Sequence, residues 1–361
     1  MREVLFVSKP VAPPWTDSNK NLVRDLARGL TRYRPRVLTP ADSPLAGVTS
    51  ERVYAQAGLY APSRAANARV FARLALGPSV ALWHFFFAPN PVTLVAGRAV
   101  ALAKRMQHRT IHTIASAPDS LEAVVSQLFA KRVVVLSSHT RRRLDSVGVQ
   151  CTVIPPALTV PSVLPEQIQA MRDRYALHEP YVLYAGDLEF GNGAQTFIRA
   201  AAADRSRLHV IAARPKTLAA RDAQERLKRE AIALGARVEW LGEIQDIHAV
   251  IAGASVLSLV TDTLHAKMDW PLVLLESLVL GVPCVVGESS AAEELSASGA
   301  CEAIRNGDPQ ALMYAHRAWS ERTEPIVART AEAAQWVRRT CDPSVIASQY
   351  ETLYDELVHA G

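Results

Sequence analysis

The chain has 361 residues, of which 49% are hydrophobic and 21% charged, and its formal net charge is +5 at pH 7. This length exceeds one ordinary domain and suits two. The longest apolar runs are strand- or helix-sized, far below the ~20 residues that a bilayer requires, which excludes a transmembrane span. The chain enters a strand-like run at residues 4–7, and we therefore expect no signal peptide.

Positive charge is concentrated in the N-terminal half. Residues 1–170 hold 21 Lys and Arg against 9 Asp and Glu, whereas the remainder holds 19 against 26. Clustered positive charge attracts anionic partners. A phosphorylated acceptor, peripheral contact with an anionic membrane, nucleic acid and an ordinary solvated arginine-rich surface all fit. The aromatic content of 6% and the lack of a recognised reader motif argue against nucleic acid.

The cysteines have no spacing typical of a zinc site or a redox pair; they are Cys151, Cys284, Cys301 and Cys341. Cysteines in apolar strands behave as small hydrophobic residues. We therefore expect structural thiols in a reducing, cytoplasmic compartment. The sequence also contains no constellation typical of metal ligands.

The first half alternates apolar runs with helical patterns. Strands are predicted at 4–7, 36–38, 81–86, 110–113, 133–137 and 151–154, helices at 21–30, 92–105, 121–129 and 140–147, and a further strand-and-helix unit at 52–77. Continuous apolar strands separated by helices indicate a parallel sheet covered on both faces.

A proline-rich segment at 155–165 interrupts this alternation and predicts a domain boundary. A second alternating set follows, with strands predicted at 181–185, 208–212, 238–241, 256–259 and 284–286 and helical patterns at 217–234, 309–340 and 343–359. Two doubly wound sheets in tandem bind ligands at the carboxyl ends of their strands, so a cleft between the domains is the expected site.

Residues 268–283, Met-Asp-Trp-Pro-Leu-Val-Leu-Leu-Glu-Ser-Leu-Val-Leu-Gly-Val-Pro, carry the most informative motif. Together with matches at 184–188, 238–243, 306–309 and 348–354, it resembles the retaining glycosyltransferase family 4, of the group 1 type. In that family an acid, an aromatic-Gly pair and a second Glu, eight residues after the first, precede a Leu-rich helix ending at Gly-x-Pro.

The resemblance implies an α/β protein of the GT-B fold, with two Rossmann-like, doubly wound parallel-sheet domains facing a central cleft. The acceptor domain would be 1–160, completed by the C-terminal helix 343–361, which in this fold crosses back onto the first domain. The nucleotide-sugar donor domain would be 161–342.

The donor motif has a physical rationale of its own. Asp269 and Pro271 occupy cap and first-turn positions, which predicts a helix that begins near 270. Its free N–H groups, with Trp270 and Leu272 beside them, suit a diphosphate or sugar hydroxyls. Glu276 lies two turns on among apolar neighbours, where a carboxylate needs a partner.

The resemblance makes the partner of Glu276 a nucleotide ribose. The position eight residues before Glu276 is Met268, where the family usually has Glu. Either the first acid is shifted to Asp269, or Asp269 only caps the helix.

The family places Arg and Lys, which neutralise the donor diphosphate, where this chain has Asp187 and Asn192. An active enzyme therefore needs other cations near the phosphates. Arg214 and Lys216 follow a predicted strand and are the first candidates, with Lys267 and Lys20 as further ones. The alternative is that these are solvated loop residues.

Two histidines lie at or near the ends of predicted strands. The resemblance puts His112 beside the transferred sugar and makes it the leading catalytic residue, with His84 second. The polar loop after the first strand offers Trp15 and three hydrogen-bonding side chains to the acceptor or phosphate, Ser18, Asn19 and Lys20. Ser18 or Asn19 is equally suited to cap the next helix.

The resemblance thus implies transfer of a sugar from a nucleotide-diphosphate sugar to a hydroxyl of a glycan, a lipid or a small molecule. It requires no cofactor and no bound metal. The rival functions are a GT-B nucleotide-sugar epimerase or phosphorylase, and a catalytically inactive sugar-nucleotide-binding protein.

Overall fold

The computed structural model describes residues 1–40, 44–55, 63–116, 120–215, 217–242, 244, 246–263 and 267–359. The chain divides into two compact units. The first comprises Met1–Thr159, Ala266–Asp269 and Thr340–Gly361, and the second comprises Val160–His265 and Trp270–Arg339. Each unit is built on its own parallel sheet.

The first sheet has seven strands: β1 (Arg2–Val7), β2 (Tyr33–Pro40), β3 (Thr49–Tyr54), β4 (Leu82–Phe85), β5 (Thr110–Ile114), β6 (Arg132–Val135) and β7 (Thr152–Val153). Their order is β3-β2-β1-β4-β5-β6-β7, and every neighbouring pair is parallel. Val4, Leu5 and Phe6 of the central strand are fully buried, as expected where helices cover both faces.

Five helices follow these strands in turn: α1 (Ser18–Gly29), α2 (Arg64–Leu76), α3 (Pro91–Ala103), α4 (Leu121–Gln127) and α5 (Ser138–Asp145). The last four begin after a polar side chain that accepts a hydrogen bond from the backbone N–H of the third helical residue, namely Ser63, Asn90, Ser120 and Ser137. Such caps satisfy one of the free N–H groups at a helix start, which is why the helices begin there.

The second sheet has six strands: β8 (Tyr181–Tyr184), β9 (Leu208–Ile211), β10 (Val238–Trp240), β11 (Val256–Leu259), β12 (Cys284–Gly287) and β13 (Cys301–Ile304). Their order is β10-β9-β8-β11-β12-β13, again parallel throughout. All four residues of β8, β9, β11 and β12 are buried, so these strands form the centre of the second core.

The helices of the second unit are α6 (Pro165–Tyr175), α7 (Gly193–Ala203), α8 (Leu218–Leu234), α9 (Ile247–Gly253), α10 (Leu272–Val279), α11 (Pro309–Ser320) and α12 (Glu324–Thr340), with a 3-10 helix at Ala291–Ser298. The continuous helical pattern predicted for 309–340 is therefore wrong. The chain breaks between α11 and α12, where Arg322 adopts a positive φ of 45° that a helix does not allow.

Strand β13 was absent from the sequence prediction. Its residues Glu302 and Ala303 are only half-buried, so the segment lacks the continuous apolar run that marks the central strands. It lies at the edge of the sheet beside β12, where one side of the strand carries no partner strand.

The last helix, α13 (Pro343–His359), belongs to the first unit and packs against α1. Its Glu351 is 2% exposed and accepts hydrogen bonds from the backbone N–H groups of Thr31, Arg32 and Tyr33 at 2.8, 2.6 and 3.2 Å. These hydrogen bonds compensate the hydration that the carboxylate loses on burial. The turn into β2 is therefore fixed by a side chain some 320 residues later in the chain.

Within the described residues, no helix combines the length and the apolar character needed to cross a membrane.

Candidate functional site

The second sheet has a topological switch point between β8 and β11. The chain runs from β8 outward to β9 and β10 and then returns to the other side of β8 with β11. Loops leaving two such strands diverge and leave a crevice at their carboxyl ends, which is the usual ligand site of doubly wound sheets. Residues 185–192 follow β8 at this point, and residues 260–263 follow β11.

Two glycines let these two loops pack directly on one another. A Cβ on Gly191, whose φ is +75°, would lie 1.9 Å from Thr261 Oγ1, and one on Gly193 would lie 2.8 Å from the carbonyl oxygen of Val260. Thr261 Oγ1 donates to the carbonyl of Gly191 at 2.9 Å. At the start of the same loop, a Cβ on Gly186 would lie 2.4 Å from the hydroxyl oxygen of Tyr184. The close approach of these neighbouring atoms therefore requires glycine at all three positions.

Asp187 and Asn192 stand where the family has cations. In this structure both form hydrogen bonds that order the loop after β8. Asp187 Oδ1 accepts from the N–H of Glu189 at 2.9 Å, while its carbonyl accepts from the Tyr184 hydroxyl at 2.6 Å. Asn192 precedes α7 with a φ of 52°, and its amide donates to Asp262 Oδ2 at 2.7 Å. The left-handed conformation suits asparagine better than lysine. The loop is thus ordered by side-chain to backbone bonds and carries acidic groups.

Glu276 lies on α10 with its side chain 14% exposed, and its Oε1 is 3.3 Å from Nε2 of His248 on α9. The flanking Leu274, Leu275 and Leu278 are buried. A carboxylate in such surroundings requires a polar partner, and His248 supplies one. Sequence reasoning missed His248, because nothing in the chain relates two helices that are 28 positions apart.

The helix α10 begins two residues later than predicted. Its first residue is Leu272 and its N-cap position is Pro271, which makes no side-chain cap bond. Asp269 is therefore not the helix cap. Pro271 and Leu272 are buried, and the side chain of Leu272 is 2% exposed.

Asp269 belongs to the first unit and is completely buried. Its Oδ2 accepts from Ser137 Oγ at 2.6 Å, and its N–H donates to the carbonyl of Ala115 at 2.8 Å. Ser137 Oγ also accepts from the N–H of Thr140 as the cap of α5. This acid of the donor motif thus holds residues 267–269 to the ends of β5 and β6.

Trp270 is 7% exposed and packs against Trp336 of α12, with ring centroids 5.7 Å apart. Its indole N–H donates to Glu294 at 3.4 Å. Both the apolar body and the polar edge of the ring have partners within the second unit, which is how a buried tryptophan is normally satisfied.

The candidate phosphate cations occupy different places. Arg214 is exposed in the loop after β9, and Lys267 is half-buried in the segment before α10. Lys216 lies outside the described residues. In the first unit, Lys20 is buried and its ammonium donates to the carbonyl of Ala12 at 3.3 Å.

His112 on β5 is completely buried, and desolvation lowers the pKa of its imidazole to about 4. Its Nε2 lies 2.6 Å from the carbonyl oxygen of Phe87. Since a carbonyl can only accept, Nε2 carries the proton and Nδ1 is an acceptor. Among the described residues, Nδ1 is buried without a hydrogen-bond partner. The ring is packed against Phe87, with centroids 4.9 Å apart.

His84 on β4 is buried in the core below α13. Its two ring nitrogens lie 2.7 Å from the hydroxyls of Tyr354 and Thr113, and Thr113 is in turn 3.1 Å from the hydroxyl of Tyr350. Burial lowers its pKa well below the ordinary value. Nδ1 therefore holds the C-terminal helix on the first sheet directly, and Nε2 does so through the Thr113 hydroxyl.

The polar loop after β1 lies at the switch point of the first sheet, between β1 and β4. The cap of α1 is Asp17, which accepts from the N–H groups of Asn19 and Lys20 at 3.0 and 3.2 Å. Prediction of Ser18 or Asn19 as the cap was wrong, because Asp17 fills the position one residue earlier and Ser18 begins the helix.

The side chains of this loop make contacts inside the first unit. Asn19 donates to the carbonyl of Phe86 at 3.0 Å and so ties the loop to the end of β4. Trp15 lies under the guanidinium of Arg24, which is 4.7 Å from the ring centroid. Lys9 pairs with Asp17 at 2.7 Å. These contacts order the loop at the carboxyl ends of two neighbouring strands.

Across the part of the chain that is described, no group of three or more His, Cys, Asp and Glu side chains is arranged to hold a metal ion. The four cysteines are free thiols. Burial raises the pKa of Cys284 and of Cys341 to about 12, which keeps both protonated and unreactive at neutral pH.

The comparisons with known proteins agree with this architecture. Residues 179–321, about two fifths of the chain, match the family model described as glycosyl transferases group 1. No curated protein sequence matches significantly.

Similar solved structures extend over the whole chain. HepE from Anabaena, in complex with UDP and glucose, is 18% identical with a TM-score of 0.78 over 98% of this chain and 99% of its own. Sucrose-phosphate synthase from Thermosynechococcus elongatus is 19% identical with a TM-score of 0.76 over all of both chains. The predicted fold class is thereby confirmed: the protein has the GT-B fold, with two Rossmann-like parallel-sheet units, and residues 179–321 are similar to the group 1 glycosyl transferase model.

Proposed function

We propose that the protein is a retaining glycosyltransferase of family 4 that transfers a hexose from a nucleotide-diphosphate sugar to an acceptor hydroxyl. The observation that carries this proposal is Glu276. It is a largely buried carboxylate on the helix that follows β11, beside the switch point and inside the region that matches the group 1 model. On this proposal its oxygens accept hydrogen bonds from the ribose hydroxyls.

HepE, which shares this fold, binds UDP and UDP-glucose. We therefore take UDP-glucose as the first donor to test. The acceptor would be a glycan, a lipid-linked sugar or a small molecule, because contacts that choose the acceptor vary freely on a common scaffold.

Positioning and charge stabilisation would supply the catalysis. The oxygen of the departing diphosphate would take the acceptor proton on the same face of the sugar, so no protein nucleophile and no bound metal is required. Arg214, Lys216 and Lys267 would neutralise the diphosphate, since Asp187 and Asn192 bring no positive charge.

His112 would bind the transferred sugar. Its Nε2 is committed to the carbonyl of Phe87, and its low pKa keeps the ring neutral. Nδ1 is then the atom that remains for a ligand, and it accepts from a sugar hydroxyl. His84 has no comparable role in this proposal, because Tyr354 and Thr113 occupy both of its nitrogens.

Donor binding is tested by titration calorimetry with UDP, UDP-glucose and the corresponding adenosine and guanosine compounds. We expect Glu276→Ala to raise the Kd of the preferred donor by more than about tenfold, since a charge-assisted hydrogen bond is worth about 1.5–3 kcal/mol. Glu225→Ala, at an exposed carboxylate of α8, is the matched control. Unchanged affinity in the Glu276 variant would refute the site.

Activity assays distinguish the rival functions. Transfer to an acceptor with retained anomeric configuration, seen by NMR and unaffected by EDTA, is the expected result. Isomerisation of the donor without acceptor would indicate an epimerase, and phosphate-dependent cleavage of a glycan a phosphorylase. Binding without turnover across the donor panel would indicate an inactive homologue, the rival that Asp187 and Asn192 favour.

A further inference from the structure

The outer surface of α2 and α3 exposes large apolar side chains. Phe71 and Leu76 of α2 are 42% and 84% exposed, and Val95 and Leu102 of α3 are each 69% exposed. The two helices pack against each other on the same face of the first sheet. Large apolar side chains exposed on neighbouring helices of a globular protein commonly mark a surface that another molecule covers.

The sequence of α3 explains why its large apolar side chains are exposed to solvent. Val95, Ala99 and Leu102 have the spacing i, i+4, i+7 and form one stripe along the helix. Gly97, Val100 and Ala101 form the opposite, buried stripe.

The inner stripe is fixed in place at Gly97. A Cβ there would lie 2.7 Å from the ring of Phe129, so the helix is seated closely on its neighbour. No rotation of α3 could bury the outer stripe without exposing the inner one. The outer apolar residues are thus in excess of what the core of the first unit requires.

Positively charged residues lie beside the apolar stripe of α3. Residues 52–118 contain eight arginine and lysine residues and no aspartate or glutamate. Arg98 borders the apolar stripe of α3, and Lys104 follows its last turn; both are exposed. Within the described residues of α2 and α3 there is no carboxylate to balance them.

We propose that this surface, comprising Phe71, Leu76, Val95, Arg98, Leu102 and Lys104, docks peripherally onto an anionic lipid membrane. Apolar side chains that enter the interface and cations that meet anionic headgroups are the two components of interfacial binding. A second copy of the chain is a poorer occupant, because it would bring the same cations face to face.

The surface lies apart from the candidate ligand site. Both α2 and α3 run from the carboxyl ends of their preceding strands to the amino ends of β4 and β5, so Leu76 and Leu102 lie at the sheet edge opposite the loops described above. Changes to this surface should therefore leave nucleotide-sugar binding intact. The proposal does not depend on the donor.

The test is co-sedimentation of the full chain with vesicles of equal parts phosphatidylglycerol and phosphatidylcholine, against vesicles of phosphatidylcholine alone. We expect at least about tenfold tighter binding to the anionic vesicles at low salt, and loss of that preference at high salt. Val95→Ser/Leu102→Ser and Arg98→Glu/Lys104→Glu should each weaken binding by about tenfold or more.

The matched controls lie on α8 of the second unit. Leu218→Ser/Ile232→Ser removes apolar side chains that are 77% and 80% exposed, and Arg221→Glu/Arg229→Glu reverses two exposed charges. Both should bind vesicles as the unaltered protein does. Thermal unfolding and donor titration of every variant verify that fold and ligand site are intact.

Equal binding to neutral and anionic vesicles, or surface variants that bind as the controls do, would overturn the proposal. Self-association in sedimentation velocity that Val95→Ser/Leu102→Ser abolishes would assign the surface to a second copy instead. Vesicle binding uses no donor, so it stands or falls separately from glycosyl transfer.

Discussion

Ser137 Oγ donates a 2.6 Å hydrogen bond to Asp269 Oδ2, and both side chains are completely buried. Asp269, an acid of the donor motif, therefore anchors residues 267–269 on the first sheet. Burial of a carboxylate is tolerated only when hydrogen bonds compensate its lost hydration.

We expect Asp269→Ala to destabilise the protein by roughly 1–3 kcal/mol, because Ser137 would lose its buried acceptor. Thermal unfolding measures the effect. Asp262→Ala, which removes an exposed carboxylate near the switch point, should change the Tm far less. A variant at Asp269 with unaltered Tm and abolished donor binding would instead make Asp269 a ligand-binding residue.

Gly191 and Gly281 provide a matched pair of substitutions. Both have positive φ, +75° and +77°, but a Cβ would clash with Thr261 only at Gly191 and meets nothing within 4 Å at Gly281. Gly281→Ala should cost about 1 kcal/mol from backbone strain alone.

Gly191→Ala should cost distinctly more and should weaken donor binding, because the loop after β8 must move away from β11. The two Tm values and the two donor titrations provide the comparison. Equal losses in both variants would show that the close contact with Thr261 is unimportant.

For His112 we expect catalysis to suffer more than stability. His112→Ala should lower kcat by about a hundredfold or more, the scale of losing one well-placed hydrogen-bonding group in the transition state. His112→Asn, which keeps a polar group, should recover part of the rate. If the variant had a lower Tm but its folded fraction kept the original kcat, His112 would have only a structural role in the core.

Four buried histidines make the protein sensitive to acid. Burial lowers the pKa of His112 and of His209 to about 4, and it lowers the pKa of His84 and His316 well below 6.5. The unfolded chain binds protons near pH 6.5, whereas in the folded chain His112 and His209 bind them only near pH 4 and the other two histidines well below pH 6.5. Stability should therefore be highest above pH 6.5 and fall as the pH drops through this window.

Each such histidine changes the free energy of unfolding by at most about 1.4 kcal/mol per pH unit. Thermal unfolding between pH 7.5 and 5 measures the slope. His209→Asn should flatten this slope, because it removes one of the histidines whose pKa burial lowers. A Tm that is constant across this range would contradict the assignment.

Patterning predicted most of the architecture, because buried strands in doubly wound sheets are uninterrupted apolar runs. The apolar run from Val4 to Val7 within β1 and the strand that starts at Cys284 are examples. The edge strand that starts at Cys301 was not predicted, because it is half-polar and lacks such a run. The break at Arg322 was not predicted either, since the sequence has helical periodicity on both sides of it.

The site was less accessible to sequence reasoning, because its details depend on contacts between distant residues. Asp17 rather than Ser18 caps α1, a choice between adjacent residues that both suit the position. The pair of Glu276 with His248 and the bond of Asn192 to Asp262 join residues 28 and 70 positions apart. Asp262 could have been found, since it follows a predicted strand at its carboxyl end.

The position of α13 has a consequence for biosynthesis. During vectorial translation the residues that form β1 to β7 leave the ribosome long before Glu351, whose carboxylate closes the turn between α1 and β2. The nascent N-terminal half therefore lacks this contact until the intervening residues and α13 have been synthesised. A premature stop codon only a few turns from the end would consequently damage the part of the molecule that was synthesised first.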